Sequence, residues 1–362
     1  MIGRAAPETE LNSSGIDLSD FSNLTVSGGA LPIKEDFILA ELNNSVRYFN
    51  ALFGAYPYDN YSATFHPYGF GQGFPSMLMI PPTDNANKYT FAFISHETAH
   101  QWWGNIVAWR SYRDQWLSEG FAEYSGALYT SKREGRAAGR ELLDEMRASL
   151  KNPPRTLTGV GSGKLNDVGP IVLGHRLSTT KTLGAYQTLI YNKGALVLRM
   201  VHFLLSDPAT GEDAGFFNMM RDFTERYRNK SASTDDFRVV AGEHFARSPI
   251  GRKYQMKDLD WFFKQWVYNS EMPSYKVDYS IVDNPDGSVQ VSGNVLQENV
   301  AADWFMPIPI VFNFGGDSIA SGTIHAFGPK TPFQMKLPRK PGKVEIDPVK
   351  WLIAEKISVS GR

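Results

Sequence analysis

The sequence His96-Glu97-Thr98-Ala99-His100 places two histidines four residues apart, with a glutamate directly after the first. On an α-helix, residues four apart lie on one face, so both imidazoles can reach one metal ion. Zinc accepts neutral imidazole nitrogen and carboxylate oxygen in a tetrahedral arrangement. Glu97 points near the same side and is placed to take a proton from an attacking water. Because so short a motif also arises by chance, its surroundings decide between a metal site and an ordinary helix with two histidines.

The neighbouring sequence favours a metal site. Phe91–Ile94 make the approach to the motif apolar, which predicts a buried helix where unpaired His and Glu side chains would be costly. The next helical stretch carries Glu119, and Gly104 supplies the break that lets this stretch return alongside the first. His96, His100 and Glu119 then form a set of three ligands. Three protein ligands leave a fourth position for water, which is the catalytic pattern.

The composition limits the classes of function that need to be considered. The 362 residues carry a formal net charge of −1, so no overall field gathers nucleic acid or an anionic membrane, and neither is expected as a partner. The sequence has no cysteine, which excludes disulfides and thiolate ligands and leaves His, Asp and Glu to hold a metal. No apolar window predicts a transmembrane helix, and residues 1–10 lack the apolar core of a secretory signal, so the localisation stays unassigned.

The chain divides into three parts by composition and periodicity. Residues 1–32 are polar and predict a leader or the remnant of an upstream domain, residues 33–272 a catalytic domain, and residues 273–362 a small β-sandwich domain. Apolar steps of three and four predict helices, and alternating residues predict strands. The predicted helices are Leu39–Phe53, 90–104, 116–129, 136–150 and the stretches between 192 and 268. The first predicted strands are Tyr61–His66 and Ser76–Ile80, around a Gly-rich turn at Gly69–Gly73. Residues 151–182 are predicted to form a long loop.

The extended string His96–Asn105, followed by eighteen residues between His100 and Glu119 and then Gly120-Phe121-Ala122, resembles the M1 (gluzincin) family of zinc aminopeptidases. The resemblance implies an α+β fold, with a thermolysin-like zinc peptidase domain whose second half is helical. It also implies one Zn²⁺ per chain, bound by His96, His100 and Glu119, and a general base at Glu97.

A second segment extends the resemblance. Ile190-Tyr191-Asn192-Lys193-Gly194-Ala195 is similar to the family's Tyr-x-Lys-Gly-Ala segment, which opens a helix. In the family the Tyr hydroxyl donates a hydrogen bond to the oxyanion of the tetrahedral intermediate, a role that suits a neutral phenol. The sequence has 16 tyrosines, most of which should be packing residues, and the adjoining Lys-Gly-Ala is what singles out Tyr191 as catalytic.

The sequence departs from the family where the substrate's free amine should bind. Family aminopeptidases carry Gly-x-Met-Glu-Asn, whose glutamate binds that amine, whereas this chain reads Gly69-Phe70-Gly71-Gln72-Gly73-Phe74-Pro75-Ser76-Met77. No carboxylate occurs between Asp59 and Asp84. The glycines still allow backbone groups to meet a peptide in β-fashion. The predicted substrate contacts are therefore Gly71, Gln72 and Gly73.

The family's large β-rich domain before the catalytic one also lacks a counterpart, since only about thirty residues stand there. We therefore expect a missing N-terminal domain or a partner chain, or else a compact variant with an open cleft. The predicted function is zinc-dependent hydrolysis of peptide bonds, chiefly removal of N-terminal residues from a peptide substrate. An endopeptidase acting on internal bonds and a non-catalytic scaffold of the same fold are the alternatives.

Two further residues lie near the predicted site. Glu123 follows Glu119 by one helical turn and is expected to be a solvated carboxylate, with orientation of a metal ligand as the alternative. His175 lies in a loop expected near the active site, where a substrate contact is the weaker of two interpretations. Neither residue carries the main prediction.

Overall fold

Helices and strands alternate along the first half of the chain and strands dominate the last quarter in the computed structural model, which describes residues 3–4, 35–82 and 86–361. The helices are α1 (Glu35–Phe53), α2 (Lys88–Ala99), α3 (Trp116–Glu134), α4 (Arg136–Ser149), α5 (Gly194–Leu205), α6 (Ala214–Arg226), α7 (Thr234–Arg247), α8 (Pro249–Tyr254) and α9 (Asp260–Trp266). The strands are β1 (Gly3–Arg4), β2 (Ser62–Phe65), β3 (Gln72–Phe74), β4 (Met77–Ile80), β5 (Val107–Trp109), β6 (Arg155–Thr156), β7 (Gly159–Val160), β8 (Lys230–Ala232), β9 (Ser274–Asp283), β10 (Val289–Glu298), β11 (Phe305–Asn313), β12 (Ser318–Phe327), β13 (Lys330–Leu337), β14 (Lys343–Ile346) and β15 (Lys356–Gly361). The predicted mixed α+β class is confirmed.

The described residues form two units according to their internal contacts. The first unit comprises residues 35–198 and 217–240, and the second comprises residues 3–4, 199–216 and 241–361. None of the helices in the described part of the chain is long and apolar enough to span a bilayer.

The first unit contains a three-stranded sheet in the order β2-β4-β3. Strand β4 lies in the middle, parallel to β2 and antiparallel to β3. The strands predicted at Tyr61–His66 and Ser76–Ile80 are confirmed as β2 and β4. The Gly-rich segment was predicted to be only a turn, but it contains β3. Its pairing with β4 comes from tertiary contact, because a three-residue strand has no periodicity of its own.

An aromatic core joins α1 to the end of α2. Trp102 and Trp103 are fully buried, and the rings of Phe49 and Phe53 pack edge-on against Trp102, with centroids 5.9 Å and 6.4 Å away. The Trp102 Nε1–H also donates to the Gly54 carbonyl at 2.9 Å. Each aromatic side chain of this size buries about 150–250 Å². This packing fixes the chain immediately after His100.

The ends of two predicted helices differ from the structure. Helix α2 ends at Ala99 rather than at Gly104: tighter turns follow, with Gln101 N–H bonded to the Thr98 carbonyl and Trp102 N–H to that of Ala99, and Gly104 leaves helical angles at φ +109°. His100 still has helical angles (φ −58°, ψ −17°), so the four-residue spacing of the histidines is kept. The predicted long loop 151–182 contains the β6–β7 hairpin and two short 3₁₀ turns, Leu165–Val168 and Ile171–Leu177.

The second unit contains two four-stranded sheets, ordered β1-β12-β11-β14 and β13-β10-β9-β15. In β9, Tyr275 and Val277 are buried whereas Lys276 and Asp278 are exposed, as the predicted alternation requires. Strand β15 returns to pair parallel with β9, and the neighbouring β9–β10 and β10–β13 pairs are antiparallel. The strand-rich region therefore begins at Ser274.

A buried ion pair ties α1 to α3 in the first unit. The Glu41 side chain is fully buried; it accepts from the Tyr129 hydroxyl at 2.5 Å and from Arg133 Nε at 3.3 Å. Removing one partner of a buried pair leaves the other charge uncompensated, which typically costs about 3–5 kcal/mol.

We therefore expect Glu41→Ala to lower the free energy of unfolding by about 3 kcal/mol, measured by urea denaturation. The control is Glu134→Ala, since Glu134 also contacts Arg133 but is one-third exposed, and its loss should cost less than about 1 kcal/mol. Equal effects of the two substitutions would contradict the buried-pair interpretation.

Candidate active site

Helix α2 carries the motif into the interior of the first unit. Asn87 caps its first turn by accepting hydrogen bonds from the backbone N–H groups of Tyr89 and Thr90, at 2.9 Å and 3.3 Å. The second half of the helix, including His96 and Glu97, is buried. The prediction that an apolar approach buries the motif is therefore confirmed.

Three side chains from two helices converge at the end of α2. Glu119 lies in the first turn of α3, and its Oε2 is 3.6 Å from His96 Nε2 and 3.3 Å from His100 Nε2. One potential ligand atom from each of the three residues lies within 4.8 Å of the others. This donor set, two imidazole nitrogens and one carboxylate oxygen, has the chemistry that zinc prefers.

The hydrogen bonds of His100 prepare its ring for a metal. Its Nδ1 lies 2.8 Å from the Trp103 carbonyl oxygen and 3.2 Å from Ser118 Oγ. Because a carbonyl can only accept, Nδ1 carries a proton, and Nε2, on the side of Glu119, is the nitrogen that would bind a metal. The contact between Ser118 Oγ and His100 depends on glycine at position 104, since a Cβ there would lie 2.5 Å from Ser118 Oγ.

Glu123 contacts the other histidine, contrary to the prediction that it is a solvated helix carboxylate. Its Oε2 lies 2.9 Å from His96 Nδ1, and its side chain is about one-quarter exposed. Helix α3 therefore supplies one carboxylate on each side of the His96 ring: Glu119 near Nε2 and Glu123 near Nδ1. A carboxylate on the second nitrogen fixes the orientation of a ligating imidazole and raises its basicity.

Two opposing effects set the pKa values of the cluster: burial disfavours the charged forms, and nearby groups of opposite charge favour them. Burial alone would lower the pKa of His96, but Glu119 and Glu123 outweigh it and raise this pKa well above its ordinary value. The pKa of His100 is likewise raised by Glu119 against the effect of burial. Burial would raise the pKa of Glu119, yet the two imidazoles lower it below its usual range. Glu119 is therefore ionised, as a metal ligand must be.

Two glycines let α3 approach the segment that carries Tyr191. A Cβ on Gly120 would lie 2.8 Å from the Gly194 backbone, and a Cβ on Gly194 would lie 3.1 Å from Gly120 Cα. Larger residues at either position would push the two backbones apart. The glycines of Glu119-Gly120 and Lys193-Gly194 thus bring Glu119 and Tyr191 to the same place.

Tyr191 lies in a π-helical stretch, Gln187–Lys193, directly before α5. The sequence predicted that a helix opens near this residue, but not its wider turn; such turns are rare and frequent at functional sites. The Tyr191 ring is parallel to the His96 ring, with centroids 5.9 Å apart and an interplanar angle of 3°. Burial, and then the charge of Glu119, raise the pKa of the Tyr191 hydroxyl above its ordinary value.

The Gly-rich strand β3 lies directly against α2. A Cβ on Gly71 would be 2.7 Å from Glu97 Oε1, and a Cβ on Gly73 would be 3.0 Å from His100 Cβ. Gly71 lines the cavity described next, whereas the Gln72 side chain is exposed and Gly73 is buried. The structure thus brings two of the three predicted substrate-contact residues against the motif.

A cavity of about 460 Å³ opens beside His96 and Glu97. Residues of α2, α3, α4 and the π-helical stretch line it, together with Phe70 and Gly71. His175 is exposed and packs edge-on against Tyr186, whose ring in turn packs against Tyr191, with centroids 5.6 Å and 5.9 Å apart. His175 is not among the residues that line this cavity.

The sequence pattern of the peptidase family M1 domain matches residues 72–266, which is more than half of the chain. The chain belongs to peptidase family M1. The resemblance predicted from the motifs is therefore confirmed.

Individual relatives match only in part. Leukotriene A-4 hydrolase of Xenopus laevis is 25% identical over 253 residues, which is 67% of this chain and 37% of that protein. Leucine aminopeptidase 2 of Saccharomyces cerevisiae is 29% identical over 216 residues, which is 58% of this chain and 28% of that protein. The crystal structure of Legionella pneumophila aminopeptidase A in complex with aspartic acid aligns with a TM-score of 0.62 at 16% identity, covering 89% of this chain and 34% of that one. The chain thus spans about a third of these proteins, and the last likeness shows the fold alone.

The sequence did not predict the contact of Ser118 with His100, and a contact of Glu123 with a metal ligand was only the alternative to a solvated carboxylate. The signal for Glu123 was its spacing: it follows Glu119 by four residues and so lies on the same face of α3. Ser118 carried no signal, because its contact with His100 depends on the turn at Gly104.

The fit of β3 against α2 can be tested with two glycines of the same loop. Gly73→Ala places a Cβ against the Glu97 carbonyl and His100, and should lower the free energy of unfolding by about 1–3 kcal/mol. Gly69→Ala meets nothing within 4 Å and should change it by less than about 0.5 kcal/mol. Urea denaturation of both variants measures the difference; two equally stable variants would mean that β3 does not pack on α2 in this way.

Proposed function

We propose that this chain carries the catalytic centre of a zinc-dependent peptidase that removes N-terminal residues from peptides. The observation that carries the proposal is the convergence of His96, His100 and Glu119 within 4.8 Å, with Glu97 on the same helix. His96, His100 and Glu119 would hold one Zn²⁺ per chain. Zinc bound by three such ligands polarises a carbonyl and lowers the pKa of water to about 7.

Glu97 is the general base in this proposal. It is buried, it lines the cavity, and its Oε1 faces the space that glycine leaves open at position 71. From that position its carboxylate takes the proton of the attacking water and returns it to the leaving amine. A side chain at position 71 would contact Oε1, so the glycine leaves room for the carboxylate beside the cavity.

Tyr191 is the proposed donor to the oxyanion. Its raised pKa keeps the hydroxyl protonated throughout the neutral range, so it can donate a hydrogen bond where negative charge develops. Its ring lies parallel to that of His96, which places it on the side of the metal ligands. The backbone contact between Gly120 and Gly194 supports this position.

Strand β3 supports the binding of an extended peptide at Gly71, Gln72 and Gly73. It is the edge strand of its sheet, and an edge strand can be extended by a peptide through main-chain hydrogen bonds. The names of several relatives favour an aminopeptidase. The lack of a carboxylate between Asp59 and Asp84 favours an endopeptidase instead, which is the second candidate.

We further infer a thermolysin-like arrangement within residues 33–272 and a β-sandwich in residues 273–362, to which residues 3–4 add strand β1. The likeness to the Legionella structure over 89% of this chain supports the fold, and the two four-stranded sheets supply the strands of the sandwich. A preceding domain or partner chain remains part of the proposal, because the relatives are about three times longer than the matched part.

The first test compares hydrolysis of unblocked peptides with that of their N-acetylated counterparts, with and without a chelator. The proposal predicts cleavage of the free peptides only, lost on chelation and restored by Zn²⁺. Glu97→Gln should retain one zinc per chain by metal analysis and lose most of the activity. Full activity in that variant would show that Glu97 is not the general base.

The outcomes separate the candidates. Equal cleavage of free and acetylated peptides would establish the endopeptidase. Zinc binding without cleavage of either series would favour a scaffold or a centre that needs a further domain.

A second test concerns the oxyanion donor. Tyr191→Phe removes the hydroxyl and should lower kcat by about a hundred- to a thousand-fold, with KM changed much less. Tyr186→Phe is the matched control, since this tyrosine contacts the Tyr191 ring but is not proposed to touch the substrate. Similar losses in both variants would indicate that the tyrosines act through packing.

A further inference from the structure

The cavity beside His96 and Glu97 extends along α2 away from the motif. Tyr89, Ala92, Phe93 and His96 line it at steps of three and four, so they form one face of the helix. Seven residues of α-helix rise about 10 Å, so the cavity runs over two turns from the metal ligands to Tyr89. A side chain that fills it must be long.

The middle of the cavity is apolar. Ala92 and Phe93 of α2 and Leu142 and Met146 of α4 are its apolar lining residues. Such walls suit the methylene stem of a side chain, which stays dry along its length. They offer no hydrogen-bonding group to a polar stem.

The far end is polar and acidic. The Tyr89 hydroxyl donates to Glu145 Oε1 at 2.8 Å, and both residues line the cavity. Lys88 Nζ also contacts this oxygen, at 3.2 Å, but it lies closer to Glu141, at 2.6 Å, and does not line the cavity. One ammonium group shared between two carboxylates leaves a net negative charge at this end.

Carboxylates are the most numerous charged groups in the lining. Glu97, Glu123 and Glu145 contribute carboxylates, and no lysine or arginine is among the described residues that line the cavity. Glu97 is assigned to the chemistry and Glu123 contacts His96, so Glu145 is the carboxylate that remains to recognise a substrate. An acidic substrate side chain would meet repulsion here.

We propose that this cavity binds the long cationic side chain, arginine or lysine, of a residue flanking the cleaved bond. The stem lies between Phe93 and Met146, and the cationic head reaches the Glu145 carboxylate. The proposal rests on the peptidase function above, because that function places peptide substrates at this site. It makes Glu145 the residue that determines side-chain specificity.

The test is a panel of unblocked peptides in which the first or the second residue is arginine, lysine, citrulline, norleucine or glutamate. Citrulline matches arginine in shape without its charge, and the two positions show which side of the cleaved bond the cavity serves. We expect kcat/KM to be about tenfold higher for arginine than for citrulline at one position, and lowest for glutamate. Equal values for arginine, citrulline and norleucine at both positions would overturn the proposal.

Variants assign the preference to one residue. Glu145→Gln should reduce the arginine-to-citrulline ratio about tenfold, to near one. Glu141→Gln is the matched control, since it shares Lys88 but does not line the cavity, and the ratio should stay unchanged. If Glu145→Gln lowered hydrolysis of all free peptides equally, Glu145 would bind the α-amine instead, and the proposal would be wrong.

A binding measurement separates this inference from the proposed function. Calorimetric titration of the zinc-loaded Glu97→Gln protein with the arginine and citrulline peptides should give the same tenfold ratio. A Glu145-dependent ratio without any hydrolysis by the wild-type protein would leave the cavity assignment standing and remove the peptidase function. Hydrolysis without the ratio would do the reverse.

Discussion

The direct backbone contact between α3 and the segment that begins α5 is the constraint on which the rest of the site depends. Gly120 and Gly194 have no Cβ, so the two backbones approach to a distance that no other residue allows. Gly120 adjoins Glu119, and Gly194 lies three residues after Tyr191. On its other side, α3 is held against α2, where a Cβ on Gly126 would lie 2.8 Å from the Ala92 carbonyl oxygen. Three segments of the chain thus meet at glycines, and their functional side chains meet beside them.

The charges within this packing depend on one another. Buried carboxylates and imidazoles are costly unless paired, and the raised pKa of His96 and the lowered pKa of Glu119 reflect that pairing. A divalent cation would answer the same need, because it can replace the protons that the imidazoles share with the carboxylate. Glu123 and the Trp103 carbonyl hold the opposite edges of the two rings. The site is therefore oriented by protein groups on every side except that of the cavity.

The sequence was sufficient for the parts that rest on local spacing. Four-residue periodicity placed both histidines on one face, and the motif string located Glu119 with eighteen residues between it and His100. It was insufficient where tertiary contact decides. Strand β3 exists because β4 pairs with it, and the π-helical stretch around Tyr191 has the same apolar pattern as an α-helix. Glu123 was misjudged, because a glutamate one turn along a helix is exposed unless the neighbouring helix brings a partner to it.

The acidic residues are distributed unevenly around the cavity. The segment between Asp59 and Asp84 is without a carboxylate, whereas α3 and α4 place Glu123 and Glu145 on the wall of the cavity. Negative charge on a helix that packs in the core is held more rigidly than on a loop, so it discriminates between substrates by position as well as by sign. In the proposed binding mode, a substrate cation would contact the helices, and β3 would align the peptide backbone. In this arrangement selectivity and alignment come from different elements, and each can change without displacing His96, His100 or Glu119.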